Sequence, residues 1–261
     1  MPNIFGLPPM LDIVPITGIG EIAPGCDLAA VLADALIAIG CAPGPGDVLV
    51  VTSKIVSKAE GRVAVLDEVV VDDAAADLAA RTRKDPRLVA LVQDEATRIV
   101  RAVPHVLIAC HRTGHVMANA GIDQSNLGDQ ADADTVLLLP QDPDASAHAL
   151  RERLAARLSH APAVVLSDSF GRPWRMGVVN VAIGAAGLPS LIDHRGAPDR
   201  NGRPMAVTQV AFADLVASAA GLVMGEGAQG IPAVLIRGLE WDAPDRPAAA
   251  LVRPIEEDLF Q

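Results

Sequence analysis

Two lysines four residues apart, three carboxylates at the ends of apolar runs and a glycine-rich acidic turn are the parts of this 261-residue sequence best suited to chemistry. The first segment, Thr52-Ser-Lys-Ile-Val-Ser-Lys58, directly follows the apolar run Val48–Thr52. Hydroxyls and ammonium groups crowded there suit phosphate oxygens, the hydroxyls as donors and lysine as a compact point charge. The chain holds only three lysines (Lys54, Lys58 and Lys84) against eighteen arginines. Two of the three in one short segment favour function over a solvated strand end. The segment is not a phosphate loop of the GxxxxGKS/T type, which the sequence lacks.

The second segment, Asn119-Ala-Gly-Ile-Asp-Gln-Ser-Asn126, offers Asp123 as a metal ligand and Asn126 as a contact to nucleotide or substrate. An Asx-turn is its plainer alternative. In Leu166-Ser-Asp-Ser-Phe-Gly-Arg172 an apolar run delivers Asp168 with Ser169 beside it, hard oxygens of the kind that Mg²⁺ and Mn²⁺ take. Arg172 and Arg175, with Arg195, Arg200 and Arg203 in the polar stretch 189–204, concentrate cations in an acidic chain, where a solvated charged loop is the alternative. Finally, Met224-Gly-Glu-Gly-Ala-Gln-Gly230 frames Glu226 with glycines, which let backbone approach a ligand closely; a helix C-cap is the bland reading. Asp123, Asp168 and Glu226 suffice for one or two divalent cations, lysines and glycine-rich turns for phosphates, and arginines for an anionic acceptor. That set is equipment for metal-assisted phosphoryl transfer. Histidines offer no rival: His105, His111 and His115 follow strand spacing, and a GxSxG elbow is absent.

The elements that must position these residues read as a mixture. Asp27–Gly40 predicts a capped helix, and Asp85-Pro86 opens another running to about Val100. Val106–Cys110 and His115–Asn119 form a hairpin pattern, and Thr135–Leu139 a strand. A helix follows from about Asp144 to Leu158, then a buried strand Ala163–Ser167 ending at Asp168. Phe212–Leu222 reads as helix and Pro232–Ile236 as the last strand. Strands and helices do not alternate strictly, so the expected class is α+β, in one continuous unit over 1–261. The long polar stretch from Pro189 to Pro204 reads as a functional or mobile loop.

Composition narrows the class further. With 51% hydrophobic residues the chain has ample material for a core, and 32 acidic against 21 basic residues give a formal charge of −11. Such a charge, with six aromatic side chains in all, disfavours nucleic acid and anionic membranes as partners. Cys26, Cys41 and Cys110 are too few and too scattered for a disulfide or zinc framework. No signal-peptide pattern opens the sequence and no apolar run is long enough to span a bilayer, so a cytoplasmic location is expected.

Four motifs together resemble one family. Gly46–Arg62, Asn119–Asn126, Ser167–Arg172 with Gly177–Gly184, and Met224–Ala233 are similar, in order and over about 15–238, to the signature of the coenzyme F420-0:γ-glutamyl ligases. The resemblance implies GTP-dependent addition of L-glutamate to the carboxylate of the deazaflavin precursor through an acyl phosphate, then further γ-linked glutamates. It implies Mg²⁺ or Mn²⁺ held by residues matching Asp123, Asp168, Ser169 and Glu226, with K⁺ as a further candidate. It places the nucleotide at Gly18, Ile19, Gly20, Glu21, Ser53, Lys54, Lys58, Asn126, Met224, Gly225, Glu226, Gly227, Ala228, Gln229, Gly230 and Ile231. The catalytic candidates are Asp168, Arg172 and Lys58. The implied fold is a mixed α/β unit forming an intertwined homodimer, here without the fused C-terminal flavin-binding domain of actinobacterial relatives. The alternatives are a ligase for another carboxylate acceptor, the excised ligase half of a bifunctional enzyme, and a catalytically silent nucleotide-binding or scaffold protein.

Overall fold

The computed structural model describes residues 10–124 and 134–258. Its elements, in chain order, are β1 (Asp12–Pro15), α1 (Leu28–Ala38), β2 (Val48–Thr52), α2 (Ser53–Ala59), β3 (Val63–Val65), α3 (Asp73–Thr82), α4 (Pro86–Glu95), β4 (Ala96–Val103), β5 (Val106–His111), β6 (Val116–Ala118), β7 (Thr135–Leu137), α5 (Pro143–Ala155), β8 (Ala163–Arg172), β9 (Arg175–Ala186), β10 (Leu191–Asp193), β11 (Gln209–Ala211), α6 (Phe212–Met224) and β12 (Ala233–Arg237). The apolar runs pair into a five-stranded sheet of order β1-β12-β2-β8-β9. Only β2 and β8 run parallel; the other neighbours are antiparallel. The class is therefore mixed α+β.

Continuous apolar strands imply burial on both faces, and the sheet shows why. Leu49, Val51, Val164, Leu166 and Leu235 join one core with α1 and α5. Their neighbours Val48, Val50, Val165, Val234 and Ile236 join a second core under α6. A third core is assembled within residues 64–138, from α3 and α4 packed on the three-stranded sheet β4-β5-β6. The antiparallel pair β3–β7, with Val63 opposite Leu137, ties the two ends of that segment together. Among the described residues no helix is long and apolar enough to cross a membrane.

Several boundaries differ from the sequence expectation. The helix opened by Pro86 stops at Glu95 rather than near Val100, because the segment that follows is rich in β-branched residues and pairs with β5 through Arg98, Ile99 and Arg101, with bulges at Thr97 and Val100. The hydroxyl- and lysine-bearing segment after β2 is a helical turn, α2, rather than an open strand end. The polar stretch after Pro189 is not a structureless loop: β10 pairs with β11, and Pro198 bridges Pro204.

The largest difference lies in β8, which continues four residues past Asp168 and turns through Pro173-Trp174 into β9. The register slips between Leu166 and Ser167, leaving Ile183 as an extra residue on β9. Such a bulge re-aims the side chains beyond it. It is pinned from both sides of the sheet: the Ala182 N–H donates to Asp214 on α6 at 2.9 Å, and Ala185 N–H to Asp144 on α5 at 2.8 Å. Gly184 has no alternative, since a Cβ there would lie 2.2 Å from the Pro143 carbonyl oxygen.

Candidate active site

A cavity of about 490 Å³ opens where α2, the middle of the β8–β9 hairpin and the loops 19–22 and 224–232 meet. Helix α2 sets the two lysines four residues apart, which places them one above the other on a single face. Both line the cavity, as do Glu226 and its flanking glycines.

Lys54 lies between two carboxylates, 2.9 Å from Asp123 Oδ2 and 3.6 Å from Asp168 Oδ1. They arrive from different cores. Asp168 comes from the central sheet just beyond the bulge and also accepts hydrogen bonds from the Ser53 hydroxyl and the Ser169 N–H. Asp123 comes from the third core, after a turn in which Asn119, Ala120 and Gly121 are all left-handed, with φ of 50°, 51° and 75°. Two consecutive non-glycine residues in that region carry strain of order 1–3 kcal/mol each, which a surrounding structure must hold. It does so by burying Ala120 and by pairing Asp123 N and O with Leu137, at 2.9 and 2.8 Å. A Cβ on Gly121 would strike Leu139 and Met117 at 2.7 Å.

The electrostatics follow from this enclosure. Burial pushes the Asp168 carboxyl above the usual carboxylate range, against the opposing pull of Lys54. Burial also disfavours the Lys54 ammonium, but the charges of Asp168 and Asp123 together outweigh it and hold its pKa above the ordinary lysine value. Lys58, deeper in the cavity wall, pairs with Glu21 from the facing loop.

Most of the residues expected from the sequence meet here. Ile19, Gly20, Glu21, Lys54, Lys58, Asp168, Ser169, Met224, Gly225, Glu226, Gly227, Gly230 and Ile231 line the cavity. Ser53 and Asp123 stand behind it, bonded to Asp168 and Lys54 respectively. Gly18 and Ala228 belong to the same loops, and Gln229 folds back to accept the Gly227 N–H at 2.8 Å. Arg172 stands apart, at the far end of β8, where it donates to the Met176 carbonyl. Arg175, Arg195, Arg200 and Arg203 are likewise not among the lining residues. Asn126 lies outside the described residues. Asp168 is buried within a strand rather than exposed at a strand end. Sequence reasoning did not single out Asn180, which lines the cavity directly across the ladder from Ser169; only its place inside the Gly177–Gly184 motif hints at it.

A buried ionic cluster stands at the end of α4. Glu95, at the end of α4, accepts both oxygens' worth of bonds from Arg62 (3.0 and 3.1 Å), pairs with Arg112 and meets His111 Nε2 at 3.3 Å. Arg62 also donates to the Leu139 carbonyl at 2.9 Å. Thr113 then links His111 to His115, whose ring packs edge-on against Phe170, two residues beyond Asp168. Burial lowers the His115 pKa to about 4, so the ring is neutral at pH 7.

The donor set fits a hard divalent cation. Asp123 and Asp168 already converge on one positive charge, that of Lys54, and Ser169 and Glu226 add oxygens to the same cavity. Among the described residues no three acidic, histidine or cysteine side chains gather around one point. A cation here would therefore take part of its shell from phosphate oxygens and water, as Mg²⁺ commonly does.

Known proteins similar to this chain belong to one family. Residues 18–238 match the family model described as F420-0:Gamma-glutamyl ligase. The chain is 45% identical to the coenzyme F420:L-glutamate ligase of Methanopyrus kandleri, over 97% of this chain and 98% of that protein. It is 40% identical to the enzyme of the same name from Methanothermobacter thermautotrophicus, over 96% and 99%. With the Methanocaldococcus jannaschii enzyme the identity is 39%, over 83% and 85%. The chain belongs to the F420-0:γ-glutamyl ligase family and is an enzyme of that family.

Proposed function

We propose that this enzyme joins L-glutamate to the carboxylate of the deazaflavin precursor F420-0, using GTP, and extends the product with further γ-linked glutamates. The observation that carries the reading is the cation–carboxylate core Asp123–Lys54–Asp168 at a cavity that the glycine-framed Glu226 also lines. In the first step an acceptor carboxylate oxygen attacks the γ-phosphorus of GTP, giving an acyl phosphate and GDP. The glutamate amine then attacks the acyl carbon, loses a proton and expels inorganic phosphate. Positioning and charge neutralisation do most of the work in such transfers. Lys54 and Lys58 supply fixed positive charge to phosphate oxygens, and the glycines at 225, 227 and 230 let backbone N–H groups approach them. Asp123, Asp168, Ser169 and Glu226 would hold Mg²⁺ or Mn²⁺, which supplies further positive charge to the phosphates. The loop 18–21 contributes to the nucleotide site, and Lys58 exchanges its Glu21 partner for a phosphate. K⁺ is a further candidate cofactor, Arg172 and Asn126 are assigned to the acceptor and nucleotide sides, and the whole chain acts as one unit in the cytoplasm.

Incubation of the chain with F420-0, GTP, Mn²⁺ and L-glutamate should give products heavier by whole glutamate residues in a mass spectrum. Unchanged precursor in the presence of bound GTP would overturn the acceptor assignment.

The same reading includes a homodimer. The β8–β9 arm ends in Trp174, Met176 and Val178, of which Trp174 is 80% and Met176 97% exposed, an apolar tip of the kind that a second copy covers. Replacing Met176 and Val178 by Glu should convert a dimer to a monomer in light scattering. A variant that keeps the mass of the parent would remove the arm from the interface.

A further inference from the structure

Asn180 is held in the cavity wall by features that have no other evident use. Its backbone carbonyl accepts the Ser218 hydroxyl of α6 at 2.8 Å, fixing the strand against that helix. Its side chain packs into the space left by Gly221, in the interior of the same helix, where a Cβ would lie 2.7 Å from Oδ1, 2.9 Å from Cγ and 3.3 Å from Cβ. Rotation of the amide alone could not relieve such an overlap, since Cγ and Cβ are struck as well. Glycine inside a helix is costly, so room for this one side chain has been kept against local propensity. Yet the amide that the helix accommodates is poorly satisfied: among the described residues Nδ2 reaches only the Met224 thioether, a weak acceptor, at 3.8 Å. Asn180 lines the cavity, directly opposite Ser169 in the ladder, and its contact Met224 begins the glycine-rich loop.

We infer that Asn180 is a phosphoryl-contacting residue, its Nδ2 donating a hydrogen bond to the transferring γ-phosphoryl group of the nucleotide, with Gly221 as the positioning residue that makes room for it. The inference rests on the nucleotide reading above. A donor held in advance at that point needs no reorganisation as charge moves from the nucleotide to the acyl phosphate.

Calorimetric titration with GTP and with GDP, each with Mn²⁺, tests it. Asn180→Leu keeps the size and removes the donor; it should weaken GTP by about 10- to 100-fold, the size of one hydrogen bond to a charged group, and GDP by less than about twofold. Gly221→Ala leaves the amide intact but pushes it aside, and should shift the GTP-to-GDP ratio the same way even if the first variant does not fold. A purely structural Asn180 would weaken both nucleotides alike. Equal losses, or no loss in either variant while the parent binds GTP, would overturn the inference and leave the nucleotide reading standing. A parent that binds neither nucleotide would overturn both.

Discussion

Asp168→Asn is expected to lower the rate of glutamate addition by about 10²–10³-fold, the loss seen when one preorganised electrostatic group is removed from an active site, while the fold melts close to the parent temperature. The two halves of this expectation come from the same geometry. Asp168 is buried, and its burial raises its pKa against the pull of Lys54, so its charge is expensive to the folded state. Asparagine keeps the shape and can still bond Ser53, while Lys54 retains Asp123 at 2.9 Å. The scaffold therefore loses little. The site loses the carboxylate that, with Asp123, brings negative charge to one point, and with it the proposed ligand for a divalent cation. Activity within a factor of about three of the parent would show that Asp168 serves only to pair Lys54. A large drop in melting temperature would instead make it a structural residue.

Why most of the candidate residues that meet at the cavity could be read from the sequence, and some strand boundaries could not, is visible in particular residues. The lysine pair, Asp123, Asp168 and the glycine-framed Glu226 are short, local arrangements of polar groups next to apolar runs, and each retains its meaning wherever the chain goes. The two-sided burial of Val48–Val51 and Val164–Leu166 was equally local. The β8–β9 arm and the strand β4 were not. Beyond Asp168 the residues Ser-Phe-Gly-Arg carry no apolar pattern, and they are strand only because Asn180, Val179 and Val178 pair with them from β9. Residues 97–100 fit a helix opened by Pro86 until β5 offers hydrogen bonds. Asn180 escaped notice for a related reason: its chemistry depends on Gly221, forty-one residues away, and no spacing rule connects the two. The left-handed turn at Asn119–Gly121 is a tertiary effect as well, since the burial of Ala120 and the pairing of Asp123 with Leu137 hold it.

Glu95→Ala should be the most damaging single change away from the cavity, costing about 3–5 kcal/mol, because it leaves Arg62, Arg112 and His111 without the buried carboxylate they share. For a chain of this length that corresponds to a fall in Tm of about 6–20 °C. The pH dependence identifies the cause. Burial alone would raise the Glu95 pKa, but His111, Arg62 and Arg112 outweigh it and hold the carboxyl below its ordinary value of 4.5. A lowered folded pKa means the unfolded chain binds the proton first as pH falls. Glu95 thus contributes its full stability above about pH 4.5 and loses it below, as pH drops through the folded value. His115 acts in a separate window: with a folded pKa of about 4, it costs stability as pH falls from 6.5 towards 4, because the unfolded imidazole takes a proton the buried ring refuses. That cost is common to parent and variant. Chemical denaturation from pH 7 to 3 should therefore show a constant gap between the two down to about pH 5, and a narrowing gap below 4.5. A gap that widens in acid, or one already absent at pH 7, would mean that Glu95 does not hold this cluster together.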